Sequence, residues 1–301
     1  MNRIPQEQNI QLQLEHLAAQ RQLYSDAKSI QNASMILSIP LVLIWSIFIA
    51  LLPRFKVYSA LWGIAVTFLD ILILSRWQKS LQEKAAKIQQ LFDCDILQLD
   101  WSKLNSGSRP EPEIIINTSA KYRQKYTNYS KLENWYPINV SQLPIYQARI
   151  ICQRCNIWWD ANLKRRYSNL VIVVLIAITI IVLLVGLIGG LTLEKFVLAT
   201  LTPLIHTFVF GLRQYIDNNE AATRLDRLRQ NSESIWQQVV NGRIAPQELE
   251  IESYSLQNQI YDNRRLSPLI FDWIYSRLQR KNEEEMNRGA EALIQDLRQS
   301  P

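Results

Sequence analysis

The apolar residues of this chain are gathered into four blocks, and the sequence between the blocks is strongly polar. The first block, 35–52, carries no charge, and the second, 57–74, follows after four residues and carries one charge, Asp70. The third block, 170–191, is uniformly apolar, whereas the fourth, 196–212, contains one proline and one histidine. A helix of about 17–25 apolar residues crosses a hydrocarbon core of roughly 30 Å. The pattern therefore predicts four transmembrane helices, joined by short links into two hairpins.

Helical spacing of apolar residues outside the blocks predicts that the whole protein is all-α. No glycine or proline interrupts 145–185, so a helix there should run directly into the third block. The second block should likewise continue outward as a helix, and we expect these two outward helices to pair as an antiparallel stalk. The predicted organisation is a polytopic membrane protein with a cytoplasmic N-terminal helix at 1–34, transmembrane hairpins at 35–74 and 170–212, a cytoplasmic helical stalk or sensor segment at 75–169, and cytoplasmic C-terminal helices at 213–301.

Basic residues near the ends of the blocks are unevenly distributed, and this predicts the orientation. Cytoplasmic flanks of membrane spans carry an excess of lysine and arginine. Arg54, Lys56 and Lys195 lie in the links inside the hairpins. A larger basic set lies on the other side: Arg21, Lys28, Arg76, Lys79, Lys84, Lys87, Lys164, Arg165, Arg166, Arg213, Arg224 and Arg227. Both termini and the 75–169 segment are therefore predicted to be cytoplasmic.

Cys152 and Cys155 have a spacing that fits half a zinc site, a redox pair, or two small residues packed on one helix face. A zinc site needs about four ligands, and the other candidates are Cys94, His16 and one histidine inside the fourth block. We therefore predict no metal, no cofactor and a packing role for both cysteines. Aromatic and basic residues just before the third block predict an anchor at the membrane interface: Trp158, Trp159, Lys164, Arg165 and Arg166.

Polar residues inside the predicted spans are functional candidates, because a charge in hydrocarbon is costly. Asp70 is either a structural partner of Arg213 or His206 or a residue that lines a pore. His206 lies in the fourth span, to which Thr200, Thr202 and Thr207 give a polar stripe, and it is either a residue that lines a pore or a packing histidine held by hydrogen bonds.

Gly186 and Gly190 form a Gly-x-x-x-Gly that permits close approach of helices, either between subunits or within one chain. Enzyme function has little support, and we predict that the protein is not an enzyme. A nucleophile elbow, a zinc-protease motif and a P-loop are absent, and the chain has two histidines to serve as a base.

Four stretches, in order, carry a resemblance to a known family: LAAQRQLYSDAKSIQNASMILSIPLV, LFDCDILQLDW, ARIICQRCNIWWDANLKRRY and SPLIFDWIYSRLQR. Over nearly its whole length the chain resembles the bacterial SMODS-associated four-transmembrane proteins, which are regarded as pore-forming effectors. The resemblance implies a place in CBASS-type anti-phage defence at the bacterial inner membrane. There a cGAS-like nucleotidyltransferase makes a cyclic oligonucleotide, which triggers an effector that damages the membrane.

A nucleotide ligand requires cations beside aromatic faces, and the segment 121–136 offers them. We select Arg123, Lys125, Tyr126 and Trp135 as ligand candidates; the alternative is a solvated helix face. Near the C-terminus, Ser267 and Pro268 should open a last helix. A further set is interpreted as an amphipathic element that touches anionic lipid: Arg264, Arg265, Trp273 and Arg277.

The sequence and the resemblance together predict a homo-oligomeric effector that permeabilises the bacterial inner membrane when a cyclic oligonucleotide is made. Its partners would be the lipid bilayer and this ligand, and polymeric nucleic acid would not be one. Two alternatives remain at this stage. One is a non-conducting membrane sensor or scaffold that recruits a cytoplasmic partner, and the other is a small-solute transporter.

Overall fold

The computed structural model describes residues 2–38, 40–41, 44, 53–188, 192, 194 and 202–299. Its helices are α1 (Ile4–Glu7), α2 (Gln11–Ser38), α3 (Lys56–Leu69), α4 (Ser75–Leu97), α5 (Lys103–Ser106), α6 (Pro112–Lys125), α7 (Ile145–Ile188), α8 (Thr202–Val240), α9 (Pro246–Leu266) and α10 (Asp272–Gln299). A π-helical turn, Asp70–Leu74, joins α3 to α4, and 3-10 turns lie at Pro53–Phe55 and Ile138–Gln142. Every regular element in these ranges is helical, which confirms the all-α prediction.

Helices α2 and α4 run antiparallel and, with α3, form hairpin one. At one end, Ser34 Oγ donates to Asp70 Oδ1 at 2.5 Å. At the other, Gln13 Nε2 donates to Asp95 Oδ2 at 3.0 Å. Small and branched side chains fill the seam between these ends and keep the two backbones close: Ala19, Leu23, Ala85, Ile88 and Leu91.

Helices α7 and α8 also run antiparallel, as hairpin two. Arg154 contacts Glu233 at 2.9 Å, and further along Ser168 Oγ donates to the carbonyl of Tyr215 at 3.4 Å. Helix α7 continues without a break to Ile188, as the absence of glycine and proline predicted.

The predicted stalk, a pair made of α4 and α7, is wrong. The principal neighbour of α4 is α2, and the principal neighbour of α7 is α8. Short connections favour antiparallel neighbours, and the four residues 53–56 join the two predicted spans of hairpin one, whereas 47 residues separate α4 from α7. Each hairpin therefore keeps its own pairing outside the apolar blocks.

Helix α9 lies alongside both hairpins and fixes their relative direction. It runs parallel to α7, because Gln153 Nε2 donates to the carbonyl of Ser253 at 2.7 Å and Asn263 Nδ2 donates to Asp160 Oδ2 at 3.2 Å.

The same helix runs antiparallel to α4. Gln257 Nε2 donates to Asp93 Oδ2 at 2.9 Å, and Gln82 Nε2 donates to the carbonyl of Ser267 at 2.7 Å. From the start to the end of α9, its neighbours on α4 have decreasing residue numbers and its neighbours on α7 have increasing ones. The apolar ends of the two hairpins therefore point to the same side of the molecule.

Those apolar ends are exposed. Within the described ranges, two helical stretches are long and apolar enough to cross a membrane, Leu61–Leu97 and Ile145–Ile188. A core helix of a soluble protein would bury its apolar side chains, but Phe68 is 62% exposed and Ile188 is 84% exposed. The first and fourth predicted spans fall partly on 39–52 and 189–201, and most of those positions lie outside the described residues.

Candidate functional site

A cavity of about 650 Å³ lies between the two hairpins, below their apolar ends. Helices α2, α4, α6, α7, α9 and α10 and the segment 130–135 contribute to its walls. Five cationic residues and three acidic residues line it, giving a net charge of +2. The cations are Arg21, Lys28, Lys131, Lys164 and Arg264; the aromatic residues are Tyr24, Tyr122, Tyr126, Trp135, Trp159 and Tyr275. The volume falls within the range of small-molecule sites, roughly 300–1,000 Å³.

The helical period of α2 places Arg21, Tyr24 and Lys28 on the cavity side, because residues three and four apart share a face. The guanidinium of Arg21 lies 3.9 Å from the centroid of the Tyr275 ring on α10. A guanidinium over an aromatic face is attracted by the ring and keeps its donors available at its edge.

Lys28 is held by an ion pair at the start of α10. Its Nζ lies 2.7 Å from Asp272 Oδ1, with the lysine side chain 13% exposed and the aspartate side chain 43% exposed. Burial lowers the pKa of Lys28, and Asp272 opposes that shift. Burial also disfavours the charged form of Asp272, but Lys28 and Arg21 outweigh it, so the pKa of Asp272 is lowered.

Arg264 is held more deeply. Its guanidinium donates to Asp93 Oδ2 at 2.5 Å, and the side chain of Asp93 is completely buried. Asp93 also accepts from the Tyr136 hydroxyl at 2.6 Å and from Gln257 Nε2 at 2.9 Å. A buried carboxylate with three donors is fully satisfied, so this network forms a fixed floor.

Aromatic rings surround the cations. The Trp159 and Tyr275 rings are tilted by 46° with their centroids 6.1 Å apart, and the centroids of the Tyr122 and Tyr126 rings lie 4.7 Å apart. Flat apolar faces beside cations are what a nucleotide requires, because the rings stack on bases and the cations bind phosphates.

Two of the four predicted ligand residues, Tyr126 and Trp135, line this cavity. The other two, Arg123 and Lys125, are exposed near the end of α6 and are not among the lining residues. Four of the five lining cations come from α2, α7 and α9, and the fifth, Lys131, comes from the segment 130–135. The seven-residue spacing of Arg21 and Lys28 could have indicated that both side chains face the interior, since it places them on the same helix face as Leu17 and Tyr24.

The predicted interfacial anchor contributes to the interior. Lys164 is 4% exposed and donates to the carbonyl of Pro268 at 3.2 Å. Trp158 and Trp159 pack on the main core of the helical body. These three side chains lie below the apolar end of α7, because α7 passes through the body for its first five turns.

The other two anchor residues make ion pairs. Arg165 pairs with Asp226 on α8, and Arg166 lies 3.3 Å from Glu285 on α10. The lipid-contact interpretation of Arg264 is wrong, since its side chain is 9% exposed and bound to Asp93.

The segment 267–271 does not open the last helix. Ser267 caps the end of α9, where its Oγ donates to Asn263 Oδ1 at 3.1 Å, and α10 begins at Asp272. Pro268 follows the end of α9, as is common because proline cannot continue a helix. The extended segment that results forms one wall of the cavity.

The structure describes some of the candidate residues in the predicted spans and not others. Asp70 accepts from Ser34 at 2.5 Å and from Ser75 at 3.5 Å, both within hairpin one, whereas the predicted partner Arg213 belongs to hairpin two. Gly186 lies on α7, two residues before its end. Thr200 and Gly190, and the side chains of Thr202 and His206, lie outside the described residues.

The cysteines pack in the core, as predicted. Cys152 is 0% exposed and Cys155 is 1% exposed, and both belong to the main apolar cluster. Burial raises the pKa of Cys155 to about 12. Across the described ranges, no group of three or more histidine, cysteine and acidic side chains is arranged to hold a metal.

Comparison with known proteins identifies a family and a named relative. The family model of the SMODS-associating 4TM effector domain matches residues 2–293. A protein of Bacillus cereus (strain VD146), named as a probable CBASS effector molecule, is 27% identical over 291 residues, which cover 93% of this chain and 95% of that protein. No solved structure matches the chain.

Proposed function

Because the chain belongs to the SMODS-associating 4TM effector family, we propose that it permeabilises the bacterial inner membrane when a nucleotide second messenger is made during phage infection. It is a membrane protein of an effector family. The named relative of Bacillus cereus supports a role in CBASS defence.

The common direction of the two apolar hairpin ends carries this proposal. The ends of hairpins one and two extend from the same side of the helical body, and their apolar side chains are exposed. Two hairpins that leave one body in one direction can enter one bilayer together. We propose that each hairpin crosses the bilayer twice, with 35–74 and 170–212 as the spanning parts.

The rest of the chain forms a single body on one side of that bilayer. Asn2 Nδ2 donates to the carbonyl of Val140 at 2.7 Å, and Gln8 Nε2 donates to the carbonyl of Tyr136 at 3.2 Å. The excess of basic residues on this side supports a cytoplasmic location for it. The divisions 1–34, 75–169 and 213–301 are thus proposed as parts of one cytoplasmic body.

A pore effector must be harmless until it is triggered, so its conducting state must differ from its resting state. We propose that several copies assemble around a pore, with contacts between neighbouring spans at Gly186 and Gly190. Asp70, His206, Thr200 and Thr202 are the candidates for its polar lining. A ligand in the cavity between the hairpins would act on the angle at which both hairpins enter the membrane.

Release of a small dye and of potassium from liposomes that hold the purified protein tests this function. The triggers are 3′,5′-linked cyclic di- and trinucleotides that span the four bases, with the matching linear mononucleotides as controls. We expect release within minutes with at least one cyclic nucleotide. Cyclic-nucleotide binding without release of even potassium would favour a non-conducting sensor or scaffold and would contradict the pore.

A further inference from the structure

The segment between α9 and α10 contacts the two hairpins by different chemistry. We define the bridge segment as residues 267–275. Its contacts with hairpin two are mainly apolar: Ile270 and Ile274 are buried against Leu163 and Tyr167 of α7. The Tyr167 ring also meets the Phe271 ring edge-on at 6.1 Å. These apolar and aromatic contacts exclude water and do not depend on charge, and Lys164 adds one hydrogen bond to the carbonyl of Pro268.

The contacts of the bridge segment with α2 of hairpin one are polar. Lys28 Nζ lies 2.7 Å from Asp272 Oδ1, and the Arg21 guanidinium lies over the Tyr275 ring. Gln31 Nε2 donates to the carbonyl of Leu269 at 3.4 Å. An anionic ligand can compete for such contacts, whereas it cannot replace an apolar one.

We propose that the cavity is a direct binding site for a nucleotide with phosphodiester groups, and that a phosphate oxygen replaces the Asp272 carboxylate at Lys28. The effect of this binding on the membrane rests on the proposed function, whereas the binding itself can be measured without it. The bases of the ligand stack on the aromatic walls.

The geometry makes Lys28 the exchangeable cation. The Asp272 side chain is 43% exposed, so water can solvate it once it is displaced. Arg264 cannot exchange in this way, since its partner Asp93 is completely buried and would be left without its cation. Arg21, over the Tyr275 ring, adds a fork of donors that suits a phosphate.

Exchange at Lys28 breaks the ion pair that joins the start of α10 to hairpin one, and it leaves the apolar contacts with hairpin two in place. Once the ion pair at Asp272 is broken, the two hairpins can change their relative position by rigid-body rotation about their interface. The ligand contacts Lys28 only in the state in which Asp272 has moved away. It therefore binds this state more tightly than the paired state and shifts the equilibrium towards it.

Two substitutions with opposite effects on binding test the proposal in the full-length protein in nanodiscs. Lys28→Gln and Asp272→Asn both break the ion pair. Only Lys28→Gln removes a cation from the ligand, whereas Asp272→Asn removes its competitor. The control is Glu284→Gln, which lies on α10 like Asp272. It removes one negative charge, as Asp272→Asn does, but from an exposed ion pair with Arg280.

The probes are the cyclic di- and trinucleotides spanning the four bases, and affinity is measured by titration calorimetry. We expect Lys28→Gln to weaken binding about tenfold to a hundredfold, as the loss of a hydrogen bond to a charged group does. Asp272→Asn should tighten binding, because no carboxylate competes, and Glu284→Gln should leave it unchanged. If Lys28→Gln does not fold, Arg21→Gln replaces it, since that change leaves the ion pair at Asp272 in place.

Hydrogen exchange of the bridge segment supplies a second measurement. Ligand binding should increase exchange of the backbone amides at 272–276 in the unmodified protein, and Asp272→Asn should increase it without ligand. No binding by any cyclic nucleotide, or equal affinities for Lys28→Gln and Asp272→Asn, overturns the inference and leaves permeabilisation to be judged from liposomes. Binding with these opposite effects but without release from liposomes overturns the pore and leaves the site standing.

Discussion

Arg264 and Asp93 form a buried ion pair that joins α9 to α4, with 2.5 Å between Nη1 and Oδ2. The pair fixes α9 against hairpin one, and α9 in turn donates and accepts along α7. The relative direction of the hairpins, and therefore the shape of the cavity, depends on it. A buried ion pair is strongly destabilising to break, because one charge is left without compensation.

Asp93→Asn should therefore destabilise the protein strongly. The asparagine amide would face the donors of Arg264 and Gln257, and the guanidinium would lose its counter-charge. We expect a loss of about 3–5 kcal/mol in the free energy of unfolding, measured by thermal unfolding in detergent. Glu284→Gln, in an exposed pair, is the control and should change it by less than about 0.5 kcal/mol. Equal effects of the two changes would contradict a structural role for the pair.

His16 should make the protein less stable in mild acid. Its Nδ1 lies 3.0 Å from Gln13 Oε1, and burial lowers its pKa, with Asp95 and Glu15 opposing the shift. A histidine whose pKa is lower in the folded state is a source of stability above its unfolded value of 6.5, and that stability is lost as the pH falls below it.

The measurement is the melting temperature at pH 7.5 and at pH 5.5, before most carboxylates titrate. The difference between these two temperatures should be smaller in His16→Gln than in the unmodified protein. An unchanged difference would show that His16 remains accessible to protons in the folded state.

The three cysteine thiols should be unreactive in the folded protein. Burial raises the pKa of Cys94 and of Cys155 to about 12 and that of Cys152 well above its usual value. Because the thiolate is the reactive form, a maleimide at pH 7.5 should label none of them until denaturant is added. The same shifts predict that stability falls as the pH rises from about 9 towards 12, where unfolding releases the protons.

Metal analysis of the purified protein should find no stoichiometric zinc, before or after the change of Cys152 and Cys155 to valine. Zinc at one per chain that is lost with this double change would overturn the packing role.

Both ends of the chain should lie on the same side of the membrane. The N-terminal residues bond to the carbonyls of Val140 and Leu143, and Arg298 donates to Gln142, so the amino end, the central segment and the carboxyl end meet in one body. Reporters fused at Asn105 and at the carboxyl end should both indicate the cytoplasm. A fusion at Arg54, in the link of hairpin one, is the control and should indicate the periplasm. A periplasmic signal at Asn105 would contradict the orientation.

Local periodicity predicted much of this fold. The uninterrupted 145–185 segment predicted α7, and the helical seam through Cys152 and Cys155 predicted their burial, because both depend on residues less than two turns apart. The pairing of helices does not follow from local periodicity. Apolar seams on α4 and α7 are equally able to pack on any apolar partner, and only the short link at 53–56 indicated that α4 returns to α2.

The cavity was predicted only where its residues are close in sequence. Tyr126 and Trp135 belong to a segment rich in cations and aromatic rings, and this local composition predicts a ligand site there. Lys164 and Arg264 are 100 positions apart along the chain, and they meet at one cavity because α9 runs parallel to α7. Their meeting depends on tertiary packing, for which a single sequence carries no periodic signal.

Gly211 of α8 lies against the Leu175 side chain of α7 near the apolar end of hairpin two, and substitution there should loosen that hairpin. A Cβ atom at Gly211 would lie 2.6 Å from Leu175 Cδ2, whereas a Cβ at Gly63 on α3 would meet nothing within 4 Å. Gly63→Leu is therefore the matched control, since both changes replace a helical glycine and gain similar helix propensity, about 1 kcal/mol. Overpacking at Gly211 should oppose that gain by about 1–3 kcal/mol. We expect Gly211→Leu to unfold at a lower temperature than Gly63→Leu in the same nanodiscs, and a reversed order would mean that Leu175 moves aside without separating the two helices.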